Sequence, residues 1–186
     1  SAEQKSELAE LQALAKTRSD ERLKQARFDD ETQNAEIFRS VIPGFDPTKL
    51  PQTLKVLDAA KRESGLVSRT AKEYFDRKRP YEFDAALNVC APHKGKNATY
   101  PSGHTTAGFS MAVTLAHLLP TQAGTVLARA KTYGESRMIC GVHYRSDVAA
   151  GQVVGTAVAL ALLQNPKFQT EMAAAKAELV AAGLTK

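Results

Sequence analysis

The sequence predicts an all-α fold, a single-domain helical bundle, over residues 1–186. Three observations predict it. Apolar residues recur three and four positions apart through most of the chain, which lines one face of an α-helix. No run of alternating apolar and polar residues is bounded by hairpin dipeptides, so a sheet has little support. Pro43-Gly44, Asp46-Pro47, Gly65, Pro80, Pro92 and Pro120 fall between the periodic stretches and are expected to mark helix boundaries. A chain of 186 residues suits one core better than two.

The elements follow in order. Residues 1–50 form an N-terminal helical segment with Leu8, Leu11 and Ala15 on one stripe, and Leu54, Leu57 and Ala60 begin a second periodic stretch. Ala71 to Pro80 continues as helix, placing Lys72 and Arg79 on a shared face about 10 Å apart along the axis. Pro80 disfavours helical geometry at Arg79 and ends the segment. Tyr81 to Tyr100 has no periodicity and is a loop. Pro101-Ser102-Gly103 opens the next helix, and Val126, Leu127, Ala130 and Tyr133 mark another. Val148 to Leu163 is rich in Ala and Gly, is interrupted by Gln152 and Thr156, and reads as a buried helix. The last helix, within 165–183, has Asn165 as N-cap, Pro166 at its first position, Phe168, Met172, Ala175 and Leu179 on one stripe, and Gly183 past its end. Its role is packing; residues 66–150 carry the chemistry.

Composition narrows the function. A hydrophobic fraction of 43% with 24% charged residues is that of a soluble globular protein. The net charge of +5 favours anionic partners, but the basic residues are interspersed with acidic ones. With no Trp and few aromatics there is no stacking platform, so nucleic acid is not expected and small anions are. No window reaches the run of apolar residues that a membrane span needs. Residues 1–5 lack the pattern of a signal peptide. Cys90 and Cys140 are either two buried thiols or one disulfide; an even count leaves both open.

Three clusters carry chemistry. Lys72 and Arg79 present two cations whose long side chains can converge. Tyr100-Pro101-Ser102-Gly103-His104-Thr105 sets a helix N-terminus, a natural anion site, where Gly103 lets an anion approach and His104 can act as a proton donor. Ser136-Arg137-Met138-Ile139-Cys140-Gly141-Val142-His143-Tyr144-Arg145-Ser146-Asp147 supplies a guanidinium fork in Arg137 and an imidazole in His143. Asp147 is close enough to hold that imidazole in one tautomer, and with Ser146 as N-cap it would lie in the first turn of the following helix. Each cluster alone has an ordinary reading, as a solvated Lys/Arg face, a Ser cap, or a loop with a packed histidine. His93 and His117 are read as packing or surface residues, and Lys94 and Lys96 as a solvated loop that can draw anions. The four histidines are widely spaced, with no paired metal-ligand spacing.

Taken in order, Lys-x6-Arg-Pro, Pro-Ser-Gly-His and Ser-Arg-x5-His-x3-Asp resemble the signature of the type 2 phosphatidic acid phosphatase superfamily at all eleven specified positions. From Tyr100 onward the chain is most similar to the soluble class A bacterial non-specific acid phosphatases. One departure stands out: Ala98-Thr99-Tyr100 replaces the Gly-Ser-Tyr usual in that class. The resemblance implies a metal-independent acid phosphatase acting on small phosphomonoesters through a phosphohistidine, with transfer to alcohols as a second capacity. It implies His143 as nucleophile, Asp147 as its orienting partner and His104 as the acid; Lys72, Arg79, Ser102, Gly103 and Arg137 would hold the phosphate. It implies no cofactor, with vanadate as an inhibitor. It also favours a Cys90–Cys140 disulfide and export to the periplasm or medium, with any signal peptide already removed, and leaves self-association into a homo-oligomer open. The competing readings are a haloperoxidase, with vanadate as cofactor, a lipid phosphate phosphatase, and a phosphate-binding module without turnover.

Overall fold

The computed structural model describes residues 1–90 and 98–186. Pro92, His93, Lys94 and Lys96, singled out from the sequence, lie outside the described residues. Among those described, seven α-helices and four short 3-10 turns account for the regular structure, with no strand. The helices are α1 (Ala2–Thr17), α2 (Asp20–Glu31), α3 (Pro51–Phe75), α4 (Gly103–Leu118), α5 (Ala123–Ile139), α6 (Arg145–Leu163) and α7 (Pro166–Ala181). The all-α expectation holds.

At the centre lies α4, packed by α3, α5 and α6. Its buried residues Thr105, Gly108, Met111, Ala112 and Leu115 point in several directions, as a helix enclosed on most sides requires. α3 buries a narrower stripe, Thr53, Val56, Leu57, Ala60, Ser64 and Ser68, at helical spacing. No side chain of its own caps its start. Glu178 of α7 does so instead, its carboxylate accepting from the N–H groups of Gln52 (3.0 Å) and Thr53 (2.8 Å). The last helix begins and packs as its sequence predicts: Asn165 Oδ1 accepts from the Lys167 and Phe168 N–H groups, and Phe168, Met172, Ala175 and Leu179 are buried.

Three expectations need correction. Gly65 marks no boundary; it lies inside α3. α3 ends at Phe75 because Asp76 takes the left-handed conformation (φ 38°), so Arg79 lies beyond the helix in extended backbone and does not share a helical face with Lys72. α6 is a helix but not a buried one. It sinks only the residues four apart, Asp147, Gly151, Gly155, Ala159 and Leu163, while Val153 (68%) and Leu160 (50%) are exposed. By length and composition alone α6 is long and apolar enough to cross a membrane, which the sequence reading did not expect.

The small residues on that stripe let α6 lie directly on α4. A Cβ at Gly155 would come 2.3 Å from the Thr106 carbonyl oxygen, and one at Gly151 2.8 Å from the Ser102 carbonyl oxygen. Both obstacles are backbone and cannot turn aside. Gly155→Ala is therefore expected to destabilise the fold by about 2–3 kcal/mol, towards the upper end of the usual overpacking cost, read as a lower urea midpoint with an unchanged slope.

Candidate active site

The turn between α5 and α6 carries His143. Gly141 reverses the chain there in the left-handed conformation (φ 70°). A disulfide joins Cys140, at the end of α5, to Cys90, and the Cys90 N–H donates to the Cys140 carbonyl at 3.1 Å. The second of the two sequence readings for this pair is the one the structure contains.

His143 is 2% exposed and Asp147 fully buried. The Thr99 hydroxyl donates to Asp147 Oδ2 at 2.6 Å, and its oxygen lies 2.9 Å from His143 Nδ1; Asp147 Oδ2 lies 3.3 Å from the same nitrogen. Since the Thr99 hydrogen is engaged on Asp147, Nδ1 must carry a hydrogen directed at both oxygens. Nε2 then holds a lone pair. It lies 3.1 Å from Arg79 Nη1.

Asp147 is itself held. The Tyr144 N–H donates to its Oδ2 at 2.8 Å, and Arg77 Nη1 donates to its Oδ1 at 2.7 Å. Arg77 also donates to the Ser146 hydroxyl (2.7 Å) and to Glu7 of α1 (2.8 Å). Ser146 is not the cap of α6. The helix starts two residues earlier, after Tyr144, and Asp147 in its first turn caps the Tyr144 N–H.

The charges shift one another. Burial first, then Arg79, Lys72, Arg137 and His104, push the His143 imidazole well below its usual range, so that it is neutral at mildly acidic pH. Burial raises Asp147 above the usual carboxylate range, against the pull of Thr99, Arg77 and the Tyr144 N–H. Lys72, from the last turn of α3, is brought down to about 7 by burial and by the neighbouring Arg79 and Arg137, with Asp147 opposing. Its Nζ donates to the carbonyls of Ala98 (2.6 Å) and Thr99 (3.1 Å). Arg79, 3% exposed, is lowered to about 10, chiefly by burial, and donates to the Val142 carbonyl at 2.9 Å.

The N-terminus of α4 forms the opposing wall. Ser102 is its N-cap, as expected, accepting from the Thr105 N–H (3.4 Å) and hydroxyl (2.9 Å), while its own N–H donates to the Asp147 carbonyl (2.9 Å). A Cβ on Gly103 would approach Lys72 Cε and Ser68 Oγ, each at 3.8 Å. The His104 Nε2 lies 3.2 Å from the Asp30 carbonyl oxygen, and since a carbonyl only accepts, that nitrogen carries a hydrogen.

Lys72, Arg79, Gly103, His104 and His143 line one cleft of about 460 Å³. Ser102, Asp147 and Arg137 are close by but do not line it. Arg137 is fully buried and donates to the Asp30 carboxylate of α2 at 2.5 Å. His117 is on the surface, as expected. Three participants escaped the sequence reading. Thr99 was visible only as the departure in Ala98-Thr99-Tyr100, Arg77 was hidden in a run of basic residues, and nothing in the sequence marked Asp30. Among the described residues, no group of three or more His, Cys, Asp or Glu is placed to hold a metal ion.

Comparison with known proteins finds a family match, curated relatives and solved structures. Residues 59–171 match the family model described as the PAP2 superfamily. An acid phosphatase of Zymomonas mobilis is 36% identical over 139 residues, covering 73% of this chain and 52% of that protein. Non-specific acid phosphatases of Providencia stuartii (38% over 132 residues; 69% and 53%) and Salmonella typhimurium (37% over 152 residues; 78% and 60%) are similar. The chain thus spans between about half and three-fifths of the length of these relatives. Among solved structures, the crystal structure of Aquifex aeolicus LpxE superposes with a TM-score of 0.68 at 19% identity, covering 85% of this chain and 94% of that one. The first transmembrane PAP2 type phosphatidylglycerolphosphate phosphatase from Bacillus subtilis gives 0.59 at 19%, covering 86% and 84%. At that identity these two show the shared fold.

The lowered Lys72 gives a pH dependence whose sign is fixed. Lys72 is charged below about 7 and neutral above it, so binding of sulfate, whose charge is constant over this range, should weaken as pH rises through 7. Lys72→Arg should move that loss upward by two pH units or more, because a guanidinium keeps its charge there. Calorimetric titration with sulfate across pH 5–9 measures it.

Proposed function

The chain belongs to the PAP2 superfamily, and from that premise we propose that it is an acid phosphatase that hydrolyses small phosphomonoesters through a phosphohistidine on His143. One observation carries the proposal. His143 Nε2 lies in a cleft flanked by Lys72 and Arg79, its lone pair accepting from Arg79 Nη1 at 3.1 Å, with the His104 ring on the opposite wall.

The chemistry follows from those atoms. A bound ester places its nonbridging oxygens against Lys72, Arg79 and the N-terminal turn of α4 around Ser102 and Gly103. Arg137 adds its charge from behind the cleft wall. The Nε2 lone pair attacks phosphorus, the bond from phosphorus to the leaving oxygen breaks, and that oxygen takes the proton of His104. As Nε2 bonds to phosphorus the ring becomes cationic, and Asp147 with Thr99 stabilises the N–H at Nδ1 that now carries more charge. His104, left neutral, accepts a proton from water. The hydroxide so formed attacks phosphorus, the nitrogen–phosphorus bond breaks, and inorganic phosphate leaves. An alcohol in place of water would give transfer rather than hydrolysis. The cationic side chains supply the transition-state stabilisation that magnesium supplies in other phosphoryl-transfer enzymes, so the proposed reaction uses no metal. The Cys90–Cys140 bond suits an oxidising compartment, and we place the enzyme in the periplasm or medium on that ground.

Substitution separates the roles. His143→Ala is expected to lower kcat by 10³-fold or more while leaving the helical circular dichroism intact. His104→Ala should slow alkyl phosphates, with poor leaving groups, by about 10²–10⁴-fold, and activated aryl phosphates by less. Steady-state rates on both ester types measure this. EDTA should leave the wild-type rates unchanged, and vanadate should inhibit.

A further inference from the structure

The cleft is longer than the phosphate site. Lys61, Gly65, Ser68 and Lys72 occupy one stripe of α3, four, seven and eleven residues from the first, with Arg69 at its flank. All of them line the cleft that holds His104 and His143. Lys72 belongs to the phosphate site; the others take no part in the chemistry above.

Four features mark this arm as built for a ligand. No carboxylate among the described residues lines the cleft. Lys61 and Arg69 have no ion-pair partner among the described residues; Glu63, close in sequence, pairs with Arg62 at 3.3 Å. Ser68, 2% exposed, lines the cleft wall, and its buried hydroxyl makes no hydrogen bond among the described residues. Gly65 sits inside a 25-residue helix, where glycine costs about 1 kcal/mol relative to alanine. Yet a Cβ there would meet nothing within 4 Å, so packing does not require the glycine. The space it leaves is a notch in the cleft wall. From the helix rise, that notch lies about 10 Å from Lys72 along the axis and Lys61 about 16 Å, distances that their flexible side chains shorten.

We propose that this arm is a second anion subsite, so that the preferred substrates are small bisphosphates: one phosphate is transferred at His143, and the other, on the leaving group, is held by Lys61 and Arg69 beside the notch at Gly65. Ser68 donates to an uncharged oxygen of the leaving group between the two. The inference rests on the phosphatase reading for which phosphate is transferred, but the subsite can be tested by binding alone.

Calorimetric binding of fructose 1,6-bisphosphate, fructose 6-phosphate and 3-phosphoglycerate to His143→Ala protein, at low ionic strength, makes that test. The bisphosphate should bind at least tenfold more tightly than the monophosphate, and the difference should shrink with added salt. In a Lys61→Ala/Arg69→Ala background it should fall to twofold or less. Both positions are on the surface of α3, so folding should be retained, which circular dichroism checks. Equal binding of bisphosphate and monophosphate, or a preference that survives the double substitution, would overturn the subsite. Binding of 3-phosphoglycerate as tight as that of the bisphosphate would overturn its assignment to phosphate. Failure of wild-type protein to hydrolyse p-nitrophenyl phosphate would count against the phosphatase reading instead, with the binding ratio still deciding the subsite.

Discussion

An imidazole that must stay neutral sits in a space arranged to attract negative charge, and the rest of the structure follows from that constraint. Burial and the surrounding cations both disfavour a proton on His143. The groups that would bind a phosphate are therefore the same ones that keep its attacker uncharged. Asp147 works against them, since a carboxylate beside an imidazole favours the charged ring. Arg77 at 2.7 Å offsets that pull by pairing with the other carboxylate oxygen, and Thr99 stands between acid and base. Asp147 can orient the ring without charging it until the chemistry does so.

Such an arrangement needs rigid support, because cations held this close repel one another. Three devices supply it. The disulfide ties Cys90, in the segment that follows Arg79, to the turn that carries His143. The glycine stripe of α6 brings Asp147 onto the start of α4, where the Ser102 N–H donates to the Asp147 carbonyl. On the far side, α2 is fixed to α5 by the buried pair of Asp29 with Arg129. That pairing sets the next residue, Asp30, where its side chain meets Arg137 and its carbonyl meets His104. A helix remote in sequence thereby touches both Arg137 and His104.

Much of this was legible in the sequence, and for identifiable reasons. Helical periodicity and the caps at Ser102 and Asn165 are local signals, and the structure keeps them. Through their resemblance to a known family the three motifs pointed to eight residues, of which Lys72, Arg79, Gly103, His104 and His143 line the cleft while Ser102, Arg137 and Asp147 lie behind its wall. Misreadings arose where tertiary contacts outweigh local preference. Gly65 looked like a stop but lies within a helix that packing holds together. Val148 to Leu163 looked buried because it is apolar, yet only Gly151, Gly155, Ala159 and Leu163 of that stretch are buried. Lys72 and Arg79 converge through a left-handed turn at Asp76, a conformation that sequence does not announce. Arg77, Thr99 and Asp30 act through partners 44 to 107 residues distant, beyond any local pattern.

The proposed chemistry requires a neutral His143 whose Nε2 bonds to phosphorus. Rapid quenching of wild-type protein during turnover of an aryl phosphate, under alkaline conditions that preserve phosphohistidine, followed by mass-spectrometric mapping, tests this directly. Phosphate on His143, absent from the His104 peptide and from His143→Ala protein, is the predicted result. Undiminished turnover in His143→Ala protein, or phosphate found on a different side chain, would contradict it.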